Sequence, residues 1–168
     1  MHRDLIFIYN ILRFYGGIFL VTYLFNTLKY YLILHKDSVM FKIMLVDDSP
    51  SIMNLVSEII DVDVTFETRI LPFSDARVAK EEFLKVKPDL VITDIEMPYF
   101  DGLQLIEYIK SVATTPILAM SASTVKNNST ETLLYCARSV GSDYTILKDE
   151  IPEKISKLTT DIITTHCI

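Results

Sequence analysis

Two apolar runs in this sequence stop abruptly at carboxylates. Met44-Leu45-Val46 leads into Asp47-Asp48-Ser49-Pro50, and Val91-Ile92-Thr93 leads into Asp94-Ile95-Glu96-Met97-Pro98. Short runs rich in Val, Ile and Leu, bounded by turn formers, read as buried strands of a parallel sheet, which places the acids at strand carboxyl ends. That edge is where open α/β sheets bind ligands. Three acids gathered there repel one another, and two remedies exist: protonation of one, or a hard cation such as Mg²⁺ held by oxygen ligands. At neutral pH the cation is the expected remedy.

The acids need a frame to hold them, and the chain after Met40 supplies one. Residues 40–44 open the first strand. Ser49 and Pro50 read as an N-cap and an N1 proline, and Ile52, Leu55, Val56, Ile59 and Ile60 follow at helical spacing. A second strand is expected within residues 67–71, and a second helix over 75–86 with Ala76, Ala79 and Phe83 on one side. Pro88 separates that helix from a strand over 90–93. A third helix is expected at 102–111, with Leu103, Ile106 and Ile109 inward. Pro116 opens a strand at 117–120 that ends at Ser121, and a polar loop through Asn127, Asn128 and Ser129 leads to a helix holding Leu133, Leu134, Ala137 and Val140, stopped by Gly141. Residues 144–147 form a fifth strand ending at Lys148, and a last helix, with Pro152 near its start, points Ile155, Leu158 and Ile162 inward. Strands alternating with helices give an α/β domain with a doubly wound, five-stranded parallel sheet.

Composition divides the 168 residues in two. Residues 1–39 hold seven Leu, five Ile, five Tyr and four Phe, without Ala, Glu, Pro or Gln, while residues 40–168 look like an ordinary globular domain with a proper core. The first part carries four Lys/Arg and two acids; the second carries twelve Lys/Arg and twenty acids. A domain this acidic is a poor direct binder of nucleic acid. Cys136 and Cys167 have no metal or redox spacing, which fits a reduced cytoplasmic setting.

The hydrophobic N-terminal extension has two readings. Residues 14–28 are free of charge and the apolar character runs from 5 to 34, close to the length of about 20 residues that a bilayer span needs. Lys29, Lys36 and Lys42 on one side against Arg3 and Arg13 on the other then favour placing residues 40–168 in the cytoplasm, anchored at the inner membrane. Alternatively, residues 1–39 are an over-extended start before Met40. A signal peptide fits less well, because no A-x-A-like cleavage site precedes Met40.

Four strand ends thus carry polar residues: Asp47 with Asp48, Asp94, Ser121 and Lys148. In this order the chain resembles the receiver domain of bacterial two-component response regulators, the CheY-like family, over nearly all of residues 40–165. The resemblance implies a flavodoxin-like strand order, 2-1-3-4-5. It implies that Asp94 is the nucleophile and accepts a phosphoryl group from a histidine kinase or histidine phosphotransfer protein. Mg²⁺ would be held by Asp47, Asp48, Asp94 and the backbone carbonyl of Glu96, Ser121 would donate its hydroxyl to the phosphoryl group, and Lys148 would pair with it. Met97-Pro98 and Asp101-Gly102 match the turn after the acceptor, with Gly102 expected to take a backbone conformation other residues resist.

Taken singly, each of these residues has a plainer reading. Adjacent acids at a strand end are often a solvated loop or a helix cap, a lone Ser a turn residue, a lone Lys a surface charge. Agreement across four separated segments carries the resemblance. The chain also departs from the family pattern. Asp149 follows Lys148 where a proline is usual, so no cis peptide is expected there. Thr145 stands where an aromatic switch residue is common, with Tyr144 beside it. The segment from 121 to 141 is longer than usual around Lys126-Asn127-Asn128, and Glu96 and Ser123 sit where the family tunes dephosphorylation.

The expected function is a stand-alone receiver, a regulatory phosphoacceptor and not an enzyme, since twenty residues after Lys148 suffice for one helix. Its output would pass to a downstream protein by contact with the fourth helix, fifth strand and last helix. One alternative is a phosphorylation-independent interaction module with the same fold. Another is a Mg²⁺-dependent aspartyl phosphohydrolase, whose common layout has two acids separated by one residue, whereas Asp47 and Asp48 are adjacent.

Overall fold

The computed structural model describes residues 40–122 and 129–168. The extension over residues 1–39, Ser123 and the loop surplus at Lys126, Asn127 and Asn128 lie outside the described residues. Strands β1 (Phe41–Val46), β2 (Thr68–Phe73), β3 (Leu90–Asp94), β4 (Ile117–Ser121) and β5 (Tyr144–Leu147) alternate with helices α1 (Pro50–Asp63), α2 (Ala76–Val86), α3 (Gly102–Val112), α4 (Ser129–Ser139) and α5 (Ile151–His166). All neighbouring strands are parallel, in the flavodoxin-like order β2-β1-β3-β4-β5. Among the described residues no helix is long and apolar enough to cross a membrane.

Strand alternation divides the apolar side chains between two cores, one on each face of the sheet. Met44 and Val46 of β1, Val91 of β3, and Ile117 and Ala119 of β4 pack with Ala76, Ala79 and Phe83 of α2, with Leu105, Ile106 and Ile109 of α3, and with Ala137 of α4. Their neighbours Ile43, Leu45, Leu90, Ile92, Leu118 and Met120 face the other way, onto Val56 and Ile60 of α1 and Ile155 and Ile162 of α5. Because both faces are covered, the central strands read as continuous apolar runs. Each fully buried Ile or Leu contributes about 1.5–3 kcal/mol.

The local devices differ from expectation in four places. Ser49 occupies the N-cap position of α1 ahead of Pro50, but its side chain makes no capping bond. Its N–H is instead engaged by Asp47 Oδ1 at 2.8 Å, which fixes the turn out of β1. Strand β2 runs past residue 71 and through Pro72, because it pairs only with β1 and an edge strand tolerates a missing donor. In α3 the inward stripe is Gly102, Leu105, Ile106 and Ile109, leaving Leu103 only partly buried. In α5 it is Ile151, Ile155, Thr159, Ile162 and Ile163, with Leu158 on its margin. Helix α3 starts at an Asp101–Gln104 capping box, whereas α5 starts without a side-chain cap and with Pro152 in its first turn.

Candidate functional site

The strand register staggers the polar residues across one edge of the sheet. Val46 is level with Thr93, so Asp47 follows β1 where Asp94 ends β3. Asp94 is level with Met120, which puts Ser121 one step further, and Ser121 is level with Leu147, which puts Lys148 one step further again. The crevice lies between β1 and β3, where consecutive crossovers leave to opposite faces.

Asp47 and Ser121 are fully buried and Asp94 is 3% exposed. Lys148, in the short 3₁₀ turn Lys148–Glu150 that joins β5 to α5, reaches between the two acids: its Nζ lies 2.8 Å from Asp47 Oδ2 and 2.8 Å from Asp94 Oδ2. Only the Asp94 contact is aligned as a hydrogen bond. The Asp47 contact is one of charge, and Asp47 Oδ2 is left buried without a hydrogen-bond partner. Asp94 Oδ1 accepts the Glu96 N–H at 3.3 Å, and its backbone oxygen accepts the Thr93 hydroxyl at 2.9 Å. All the peptide bonds described are trans, including the one after Lys148.

The electrostatics follow from this crowding. Burial is the largest influence on Asp94 and lifts its carboxyl above the ordinary range; the Asp47 charge adds to it, and the pull of Lys148 in the other direction does not overcome them. Burial alone would lower Lys148, but its contacts with Asp47 and Asp94 outweigh that and leave it raised, so it is a fixed cation at neutral pH. One cation faces three acids, because Asp48 also belongs to the group: Asp47, Asp48 and Asp94 each offer an oxygen, all within 4.8 Å of one another. An all-oxygen donor set, an excess of negative charge and a buried carboxylate oxygen without a hydrogen bond fit a hard divalent cation such as Mg²⁺.

The structure therefore brings together Asp47, Asp48, Asp94 and Lys148, with buried Ser121 at the neighbouring strand end. The Ser121 hydroxyl reaches the Ala122 carbonyl only at 3.5 Å, the limit of a hydrogen bond. The Glu96 side chain is exposed and stands outside the acid group. Gly102 does not have a positive φ, so it is not the backbone conformation expected of it that makes glycine necessary here. It is required by contact: a Cβ at this position would lie 1.9 Å from the Asp94 backbone oxygen, so α3 starts hard against the end of β3.

Three contacts were not legible in the sequence. The Thr145 hydroxyl accepts both Nε and Nη2 of Arg138, at 3.1 and 2.7 Å, tying the last turn of α4 to β5 where an aromatic residue is common in the family. Tyr144 beside it turns to α5, its hydroxyl 3.1 Å from His166 Nε2. Thr93, an ordinary strand residue by sequence, proves to hold the backbone of Asp94.

Comparison with known proteins agrees with this geometry. Residues 43–160 match the family model of the response regulator receiver domain. The chain is 36% identical over 93 residues to a protein-glutamate methylesterase/protein-glutamine glutaminase of Pseudoalteromonas translucida, covering 55% of this chain and 23% of that protein. It is 31% identical over 83 residues to the corresponding protein of Sulfurimonas denitrificans, covering 49% and 23%. The chain thus spans about a quarter of the length of these curated relatives. Among solved structures, the chemotaxis response regulator CheY4 of Vibrio cholerae superposes with a TM-score of 0.59 at 25% identity, over 74% of this chain and 99% of that one. The response regulator domain of Thermotoga maritima CheB shares the fold, with a TM-score of 0.62 at 24% identity, over 77% and 98%.

Proposed function

Because the chain belongs to the response regulator receiver domain family, whose members are regulatory phosphoacceptors of two-component signalling, we propose that Asp94 is its phosphoacceptor, supplied by a histidine kinase or histidine phosphotransfer protein. The observation that carries this reading is the buried Asp47–Lys148–Asp94 cluster, in which one lysine is shared between two carboxylates.

In the reaction a carboxylate oxygen of Asp94 attacks phosphorus, an O–P bond forms as the P–N bond to the donor imidazole breaks, and the imidazole leaves and takes up a proton. Asp94 Oδ2 is hydrogen-bonded to Lys148, whereas Oδ1 has one long bond from the Glu96 N–H and keeps a free lone pair. Lys148 offsets part of the cost that burial places on ionised Asp94 and then pairs with the phosphoryl oxygens as charge moves onto them. Ser121, held weakly in the resting chain, donates its hydroxyl to the same group. Asp47, Asp48 and Asp94 are the side chains that would hold Mg²⁺, which when bound offsets the repulsion between the acids and an anionic donor. Moving Ser121 and Lys148 changes the ends of β4 and β5, and a partner protein reads the change on α4, β5 and α5. The activity in the names of the curated relatives is not carried over, since this chain covers about a quarter of their length.

The test is to incubate the chain with Mg²⁺ and acetyl phosphate and weigh it intact. One added phosphoryl group is expected, absent in Asp94→Asn and absent with a chelator; a folded chain that gains nothing overturns the reading. A second reading, a phosphorylation-independent interaction module, draws on the Arg138 tie to Thr145, which holds α4 and β5 together without an aromatic switch. It requires a partner complex whose affinity is the same with and without phosphorylation.

A further inference from the structure

Tyr99, in the loop between β3 and α3, takes no part in the transfer chemistry and is costly to the fold. It is 91% exposed and has a φ of 67°. Residues other than Gly, Asn and Asp seldom take that conformation, and the ring gains no burial in exchange. Gly or Asn would make the same turn with less strain.

The ring is nevertheless held in place. The Arg77 guanidinium lies 5.1 Å over its centroid. Arg77 is itself oriented by Asp75, the N-cap of α2, through bonds from Nη2 at 2.6 Å and from Nε at 3.1 and 3.2 Å. One residue on, Phe100 and Tyr108 of α3 share Lys80 of α2, whose Nζ lies 5.1 and 4.8 Å from their centroids. Two cations of α2 therefore steady the loop that starts at the acceptor, where the Glu96 N–H meets Asp94 Oδ1 and the Gly102 N–H meets Ile95 O at 2.9 Å.

Asp94 is nearly buried at the carboxyl edge of the sheet. A protein that presents a phosphohistidine to it must cover the loops of that edge, and the start of α2 and the Tyr99 loop both lie there. A preorganised, exposed aromatic on such a rim is the kind of residue that dominates a protein interface. Resting on the reading of Asp94 as acceptor, we propose that Tyr99, held by Arg77 and Asp75, is a docking and specificity residue for the phosphohistidine-bearing donor protein.

A small donor needs no such contact, and this separates the two claims. Full-length wild type, Tyr99→Asn, Tyr99→Phe and Arg77→Gln are phosphorylated by acetyl phosphate and, separately, by the phosphorylated histidine kinase domain that transfers fastest to wild type in a panel. With the kinase, Tyr99→Asn is expected to lose about tenfold or more in kcat/KM, carried by KM, Arg77→Gln about threefold, and Tyr99→Phe less than about twofold. With acetyl phosphate all four rates are expected to stay within about twofold of one another. An unchanged kinase reaction in Tyr99→Asn overturns the proposal, and so does an equal loss with both donors, which marks a distorted loop. Wild type that acetyl phosphate leaves unmodified fails at the acceptor reading itself, a result that none of the Tyr99 outcomes produces.

Discussion

Two lysine–aspartate clusters stand at opposite ends of the same parallel sheet and obey different rules. At the amino end, Lys110 of α3 meets Asp143, just before β5, at 2.7 Å. Both groups also bond to backbone: Lys110 Nζ donates to Thr115 O at 2.9 Å, and Asp143 Oδ2 accepts the Ile117 N–H at 2.8 Å. One cation meets one anion, and each bond ties α3, β4 and β5 together. At the carboxyl end one lysine serves two buried carboxylates, a third stands beside them, and a buried oxygen lacks a hydrogen bond. The first cluster lowers the free energy of the fold by balancing its charge. The second leaves charge unbalanced, and that surplus is what a cation and a phosphoryl group can relieve.

If this contrast is right, the lysines should differ most. Lys148→Met removes the one cation from two buried acids and is expected to lower unfolding stability by about 3 kcal/mol in chelator. Lys110→Met leaves a partly exposed Asp143 that keeps its bond from Ile117 and should cost about 1–2 kcal/mol. Adding Mg²⁺ should recover part of the first loss and none of the second, because only the first leaves a hole that another cation fills. Urea denaturation with and without Mg²⁺ measures all four values; equal recovery in both variants would erase the distinction.

The glycines sharpen the same comparison sterically. Gly102→Ala drives a Cβ to 1.9 Å from the Asp94 backbone oxygen, against backbone that cannot yield. A loss of about 2–3 kcal/mol is expected, with slower phosphorylation because β3 and α3 are pushed apart. Gly141→Ala meets the Lys110 side chain at 2.8 Å, which can shift, but carries a φ of 116° that strains any L residue. Its cost should be about 1–2 kcal/mol, without effect on phosphorylation. A Gly141 variant that slows phosphorylation as much as Gly102→Ala would mean that the two ends are coupled.

These positions also show what the sequence could and could not say. Parallel strands buried on both faces are continuous apolar runs, so their ends are sharp, and that is why Asp47, Asp94, Ser121 and Lys148 could be read off as one edge before any pairing was known. Helix faces were read less well. Leu103 and Leu158 fit the apolar pattern, yet Leu105 and Thr159 are the buried residues, because neighbouring elements fix the rotation of α3 and α5 and hydropathy alone does not. Gly102 was recognised as necessary for the wrong reason, since close approach leaves no mark distinguishable from backbone conformation. Arg138 with Thr145, and Arg77 with Tyr99, join residues on different elements and have no local signature at all.

The smallest expected effect is the most discriminating, because it has opposite signs at the two ends. Burial raises the Asp94 pKa above its ordinary 3.8, so as pH rises the unfolded chain releases this proton before the folded one does. The stability that protonated Asp94 allows is complete below that ordinary value and is lost as pH climbs through the folded one. Asn cannot ionise, so in chelator at about pH 7 Asp94→Asn should be more stable than wild type, and the difference should vanish on acidification towards about pH 4. Asp143→Asn removes the charge partner of Lys110 and should be less stable by about 1 kcal/mol under the same neutral conditions. Mg²⁺ should turn the first sign around, because it stabilises the chain that keeps all three carboxylates more than the one that has lost an oxygen anion. Thermal unfolding across pH, with and without the ion, checks this. If Asp94→Asn is destabilised in chelator, the carboxyl cluster is a structural pair like Lys110–Asp143, and the surplus charge on which its chemistry depends is not there.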